Sequence, residues 1–393
     1  MNLRLFIILC GLLSLNLTAQ GKIDFDSSGY NSVMQRAKKE HKPVFYMLYA
    51  TWCAHCNKMK QEVFTDTLVS NFINKHYISA WQDIEKGEGE MFKKKFGIKF
   101  FPTFIFFDEN GKELYNISGE FKPAEFVTEA KNALIPEKQL PYLEAQFNAD
   151  VSNADKCLAY LSALNKGRDR QLLSPIAAKY LATQKDEQLI SANNWKIIAN
   201  GVTDIQSREF QYVLGHIKEF EGVSSAKRVQ RKIENTVNEF LSPAVELSDT
   251  LTYHKRRAIA QTINMRRVDS LLFGFDTQLA VKVNNWKNYR KATAANTEKF
   301  VWNDAKTLLD IAGNYQKNIV ESTALLDAIK WTQRAISLNE TYDAEILLAR
   351  LYLKNKDKKM AQEWAEKAKA KNAAFGWKTA EADEILSQIG TKN

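Results

Sequence analysis

The sequence predicts an α/β unit, a mixed central sheet flanked by helices, followed by an all-α, partly repeat-like region. Three observations predict it. Between residues 30 and 135, short apolar runs alternate with charged stretches of helical period. A strand opening on proline and an Asn-Gly turn punctuate that part. Beyond Pro136 the strand signals fade, and long amphipathic patterns continue to Gly390. At 393 residues the chain is also too long for one compact core.

Residues 1–19 are expected to be a signal peptide rather than part of the fold. Arg4 precedes the apolar run Leu5–Leu17, and a small residue, Ala19, stands before Gln20. The run is too short to cross a bilayer as a helix, and no later stretch is long and apolar enough. The expectation is therefore export, to a periplasmic or extracellular location, with no transmembrane segment once the leader is removed. Cys53, Cys56 and Cys157 remain of the four cysteines, too few for a disulfide scaffold.

From Tyr30 to Glu40 a charged helix carries Val33, Met34 and Ala37 as its apolar stripe, and Pro43 stops it. Val44–Tyr49 is a continuous apolar run, as expected of a strand buried on both faces. A helix follows Cys53, with Cys56, Met59 and Val63 on one face, and a second helical piece carries Leu68, Val69, Phe72 and Ile73. Tyr77–Trp81 reads as a strand, and Met91–Phe96 as a helix ended by Gly97. Phe100–Phe107 is the next strand, Asp108–Gly111 a turn, Leu114–Ile117 the returning strand and Pro123–Leu134 the closing helix. The predicted order is α-β-α-α-β-α-β-β-α.

Residues 139–300 read as helices without a repeat. Residues 301–393 do repeat: Trp331, Ala335, Asn339 and Tyr342 recur 33 positions on as Trp364, Ala368, Asn372 and Phe375. Small and aromatic residues at these offsets resemble tetratricopeptide helix pairs. The basic excess lies in the helical part, 38 basic against 31 acidic residues over 136–393, compared with 16 against 15 over 20–135. It reads as a solvated face. Arg256-Arg257 and Arg266-Arg267 come with no nucleic-acid motif, so nucleic acid is not an expected partner.

The chemistry concentrates in Trp52-Cys53-Ala54-His55-Cys56, after a buried strand and at the start of a helix. Unpaired N–H groups and the helix dipole stabilise a thiolate at Cys53, making it nucleophilic at neutral pH. Cys56, one turn later, is placed to resolve a mixed disulfide by attacking Cys53. A metal site of Cys53, His55 and Cys56 lacks a fourth ligand, so neither a metal nor a cofactor is expected. Cys157 shares an apolar helix face with Leu161 and Leu164 and reads as a buried free thiol.

With Lys42-Pro43, Lys58-Met59, Gly97-Ile98, Phe101-Pro102-Thr103 and Asp108–Gly111, residues 20–138 resemble the thioredoxin superfamily, closest to its exported thiol:disulfide interchange domains. The resemblance implies a thioredoxin fold, a cis Pro102 facing the cysteine pair, and a backbone at Phe101 and Pro102 that holds substrate as an added strand. Trp52 and His55 complete the site. Its imidazolium is expected to favour the reduced thiolate. Met47 stands where many members carry a buried acid, so the proton of Cys56 needs another route. The implied partners are proteins with thiols or disulfides and a membrane redox partner. The expected function is an exported protein thiol–disulfide oxidoreductase that reduces, forms or isomerises client disulfides. The alternative is a helical-repeat scaffold whose thioredoxin domain is vestigial or regulatory.

Overall fold

The computed structural model describes residues 21–167 and 170–390, so the expected signal peptide and Cys10 lie outside the described residues. The chain divides into two compact units between Val229 and Gln230.

The first unit is built on a five-stranded sheet ordered β1-β3-β2-β4-β5. The strands are β1 (Phe25–Asp26), β2 (Val44–Tyr49), β3 (Ile78–Asp83), β4 (Thr103–Phe107) and β5 (Glu113–Ser118). β1 and β2 pair parallel with β3, whereas β4 runs antiparallel to both β2 and β5. Around them lie α1 (Tyr30–Glu40), α2 (Ala54–Lys58), α3 (Thr67–His76), α4 (Gly89–Phe96) and α5 (Pro123–Ala133). This is the predicted order with one addition, β1, a two-residue strand that no periodicity reveals.

β2 is apolar throughout because both its faces are covered. Phe45 packs among Phe64, Phe104 and Phe126, while Tyr46 meets Phe92 and Phe107 on the opposite face. β4 begins at Thr103 rather than at Phe100, because Pro102 has no N–H to give to a ladder. The Asp108–Gly111 turn closes as predicted. The Asp108 carboxylate accepts from the N–H groups of Asn110 and Lys112, each at 2.8 Å, and Gly111 takes the positive φ of 82°.

α2 runs directly into a π segment, Met59–Val63, in which Phe64 N–H donates to Met59 O at 2.9 Å. Cys56, Met59 and Val63 nevertheless share the buried face. At the next helix start, Asp66 Oδ1 accepts from Leu68 N–H at 2.8 Å and Val69 N–H at 3.4 Å. Removing this cap leaves the first-turn N–H groups to water. Asp66→Ala is expected to lower stability by about 1 kcal/mol in a denaturant titration, with no loss of thiol exchange.

Six helices complete the first unit: α6 (Leu140–Ala149), α7 (Ala154–Lys166), α8 (Arg170–Leu181), α9 (Ala192–Gly201), α10 (Arg208–Gly215) and α11 (Ile217–Val223). α6 and α7 lie along β5, the edge strand. Lys166 on α7 donates to Tyr115 Oη and to Glu129, and Ser118 Oγ donates to Gly167 O at 3.2 Å. Cys157 is a fully buried free thiol whose pKa burial pushes up to about 12.

The second unit is helical throughout its described residues: α12 (Ala226–Glu246), which begins just before the division, α13 (Thr250–Gln261), α14 (Arg266–Lys282), α15 (Trp286–Phe300), α16 (Ala305–Asn318), α17 (Ser322–Leu338), α18 (Tyr342–Lys354), α19 (Lys358–Ala374) and α20 (Ala380–Gly390). The 33-residue spacing puts Trp331 and Ala335 on α17 where Trp364 and Ala368 stand on α19. Both alanines are fully buried, letting neighbouring helices approach closely. No described helix is long and apolar enough to cross a membrane.

Candidate functional site

Cys53 is fixed from both sides. Its N–H donates to Ala50 O at 3.1 Å, closing the turn after β2, and its carbonyl accepts from Asn57 N–H at 3.1 Å as α2 begins. It is the N-cap of α2, with extended backbone at φ −77° and ψ 108°. Serine, threonine or aspartate oxygens usually accept at such a position. Here the sulfur does, from Cys56 N–H at 3.1 Å. A donor at the positive end of the helix therefore points at Cys53 Sγ, where it stabilises negative charge on the reduced sulfur.

The two cysteines are closed as a disulfide, with Cα atoms 5.3 Å apart. Both cysteines are buried, but Cys53 keeps 5% of its surface and Cys56 none. Trp52 is 67% exposed and stands edge-on to Phe101, with ring centroids 6.0 Å apart. Its indole N–H donates to both oxygens of Glu85, at 3.0 and 3.1 Å. Glu85 is held by a tight turn after β3, where a Cβ on Gly89 would lie 2.4 Å from the backbone of Asp83 and Ile84.

The Phe101–Pro102 bond is cis. Pro102 O accepts from Gly119 N–H at 2.9 Å, and the Thr103 and Ser118 hydroxyls bond each other at 2.7 Å. These links tie the proline loop to the end of β5. Trp52, half-buried Phe101 and the exposed ring of Phe100 leave apolar surface around this loop.

His55 is mostly exposed, and its Nδ1 lies 2.8 Å from Glu120 Oε2. Glu120 also pairs with the Lys58 ammonium. Hydrogen bonds from Lys58, and then from His55, hold the Glu120 carboxyl below its ordinary pKa. Position 47 is a fully buried methionine. On the same side of β2, the Lys60 ammonium sits 3.0 Å from the Tyr49 ring centroid and 4.9 Å from that of Trp81, the residue paired with Met47. Burial pushes the Lys60 pKa down, and the Asp83 charge opposes that.

The structure thus brings Trp52 against Phe101 and places His55 beside an acid. Sequence reasoning did not find Glu85 or Glu120. They sit 33 and 65 positions from their partners, in loops without a motif. Among the described residues no three His, Cys, Asp or Glu side chains gather as a metal site.

A thioredoxin-like domain family matches residues 30–134. The chain is 29% identical over 105 residues to protein disulfide-isomerase A5 of Mus musculus, covering 26% of this chain and 20% of that protein. It is also 29% identical over 111 residues to the thiol:disulfide interchange protein DsbD of Pseudoalteromonas atlantica, covering 27% of this chain and 18% of that protein. It therefore spans about a fifth of the length of these curated relatives. A solution structure of a candidate disulphide-isomerase from Bacteroides thetaiotaomicron shares 31% identity, covers 29% of this chain and 94% of its own, and aligns with a TM-score of 0.28. The family match takes in every strand of the sheet but β1, and this part of the chain belongs to the thioredoxin-like domain family.

Proposed function

We propose that the protein is an exported thiol–disulfide oxidoreductase acting on protein clients, with Cys53 as nucleophile and Cys56 as resolving thiol. The observation that carries this reading is the bond from Cys56 N–H to the sulfur of Cys53, the one cysteine of the pair with surface left. In the reduced protein the Cys53 thiolate attacks one sulfur of a client disulfide. The other client sulfur leaves as a thiolate and takes a proton, and a mixed disulfide remains. Cys56 then loses its proton and attacks Cys53 Sγ, which releases the second client thiol and re-forms the intramolecular disulfide. Run backwards, the same steps oxidise a client dithiol.

The apolar rings of Trp52, Phe100 and Phe101 suit an extended client segment laid beside Pro102. The helical remainder is assigned client or partner binding, and the apolar leader an export signal.

Insulin reduction driven by dithiothreitol tests the activity. The protein is expected to accelerate it above reductant alone, and the Cys53→Ser/Cys56→Ser double variant to give no acceleration. If the wild-type protein gives none, while client binding survives in the double variant, the scaffold reading takes its place.

A further inference from the structure

We infer that Glu120 is a positioning residue that sets the potential of the cysteine couple, by holding His55 and neutralising the cationic charge that His55 and Lys58 present beside Cys53. This rests on the oxidoreductase reading above.

The geometry is built rather than incidental, because Glu120 lies between two pinned neighbours. Gly119 N–H donates to Pro102 O at 2.9 Å, and Phe121 N–H donates to Met59 Sδ at 3.4 Å. The first bond anchors the loop to the proline, and the second anchors it to the rod that carries Cys56. The Phe121 ring also packs on Phe104 and Phe126 in the core. With both flanks fixed, the Glu120 side chain keeps 29% of its surface and reaches both cations, His55 Nδ1 at 2.8 Å and Lys58 Nζ.

An ionised carboxylate accepts only, so Nδ1 of His55 is the donor in this pair. His55 and Lys58 belong to the first turn and a half after Cys53. Unopposed, two cations there would favour the thiolate and make the couple more oxidising. Glu120 cancels one of them. The resemblance-based expectation for His55 alone therefore overstates how oxidising this couple is.

The measurable step is exchange with glutathione. Two glutathione thiols give up two electrons and two protons as they join. The Cys53–Cys56 disulfide takes up the electrons and becomes a dithiol, with Cys53 shedding its proton to water in proportion to its acidity. Wild type and variant are compared at one fixed pH and ionic strength, so the carboxylate is the only group that differs between them. Glu120→Gln is expected to raise the constant for forming the dithiol about two- to fivefold and to lower the Cys53 pKa, as removal of one exposed charge allows. The difference should shrink in about 1 M salt, where charges are screened within a few ångströms. Glu120→Asp should stay near wild type. A merely structural role would change thermal melting without moving the constant. An unchanged or lowered constant in Glu120→Gln overturns the assignment. Failure of the wild-type protein to equilibrate with glutathione overturns the oxidoreductase reading instead.

Discussion

Cys56→Ser is expected to accumulate mixed disulfides with client proteins, and Cys53→Ser to accumulate none. The asymmetry follows from what each sulfur touches. Cys53 Sγ accepts the Cys56 N–H at the start of α2, and the residue keeps a little surface, whereas Cys56 keeps none. Attack on a bulky client disulfide is open only to the first. With serine at 56, the client–Cys53 bond forms and cannot be resolved, because a hydroxyl is a far poorer nucleophile than a thiolate at neutral pH. With serine at 53, turnover of insulin should fall on the order of a hundredfold or more, to the rate of the reductant alone. The trapped species should appear as thiol-sensitive bands on a non-reducing gel. Alkylation of reduced Cys53 in the Cys56→Ser protein should titrate with a midpoint below about 8.5, the ordinary cysteine value. Traps on Cys56 in place of Cys53 would reverse the roles.

Much of this site is legible in the chain because its chemistry is local. A buried strand, a turn and a helix start within the eleven positions from Val44 to Ala54 specify where Cys53 sits, and that environment is what lowers a thiol pKa. The Asp108–Gly111 turn is equally local, since Asp108 bonds residues two and four positions on. What stays hidden depends on tertiary approach. β1 is too short for any pattern, and exists because Phe25 stacks on Trp81 with ring centroids 4.4 Å apart. Glu120 is an ordinary polar loop residue until Gly119 and Phe121 are pinned by groups from two other elements. The π segment likewise leaves the Cys56, Met59, Val63 face intact, so the apolar pattern does not betray it.

Fragments 21–138 and 21–223 are expected to differ in stability and association but not in redox chemistry. All five strands and both cysteines lie within 21–138, and their core of interlocked aromatic rings is complete without the later helices. The shorter fragment should therefore fold and exchange thiols with a small disulfide. What it loses is the cover on β5. Tyr115 Oη donates to Glu129 and accepts from the Lys166 ammonium of α7, which also bonds Glu129 at 2.9 Å. Phe147 of α6 and Tyr160 of α7 are buried in the same layer. Removing these groups should cost roughly 2–4 kcal/mol of lost apolar burial and charge-assisted bonding. The Glu129 pKa fixes how that difference varies with pH. Burial alone would raise it, but the bonds from Tyr115 and Lys166 win and hold it below the ordinary carboxylate value. A depressed carboxyl contributes stability that is present above its unfolded pKa of about 4.3 and lost as pH falls through the folded value. The gap between the fragments should accordingly be full at neutral pH and narrow below about pH 4. An uncovered edge strand also offers free N–H and C=O groups to another copy, so the shorter fragment should self-associate as its concentration rises. Denaturant titrations at several pH values and sedimentation of both fragments decide the matter. Equal stabilities and a strictly monomeric 21–138 would show that α6 and α7 do not guard the edge of this sheet, and an unfolded 21–138 would show that they are part of its core.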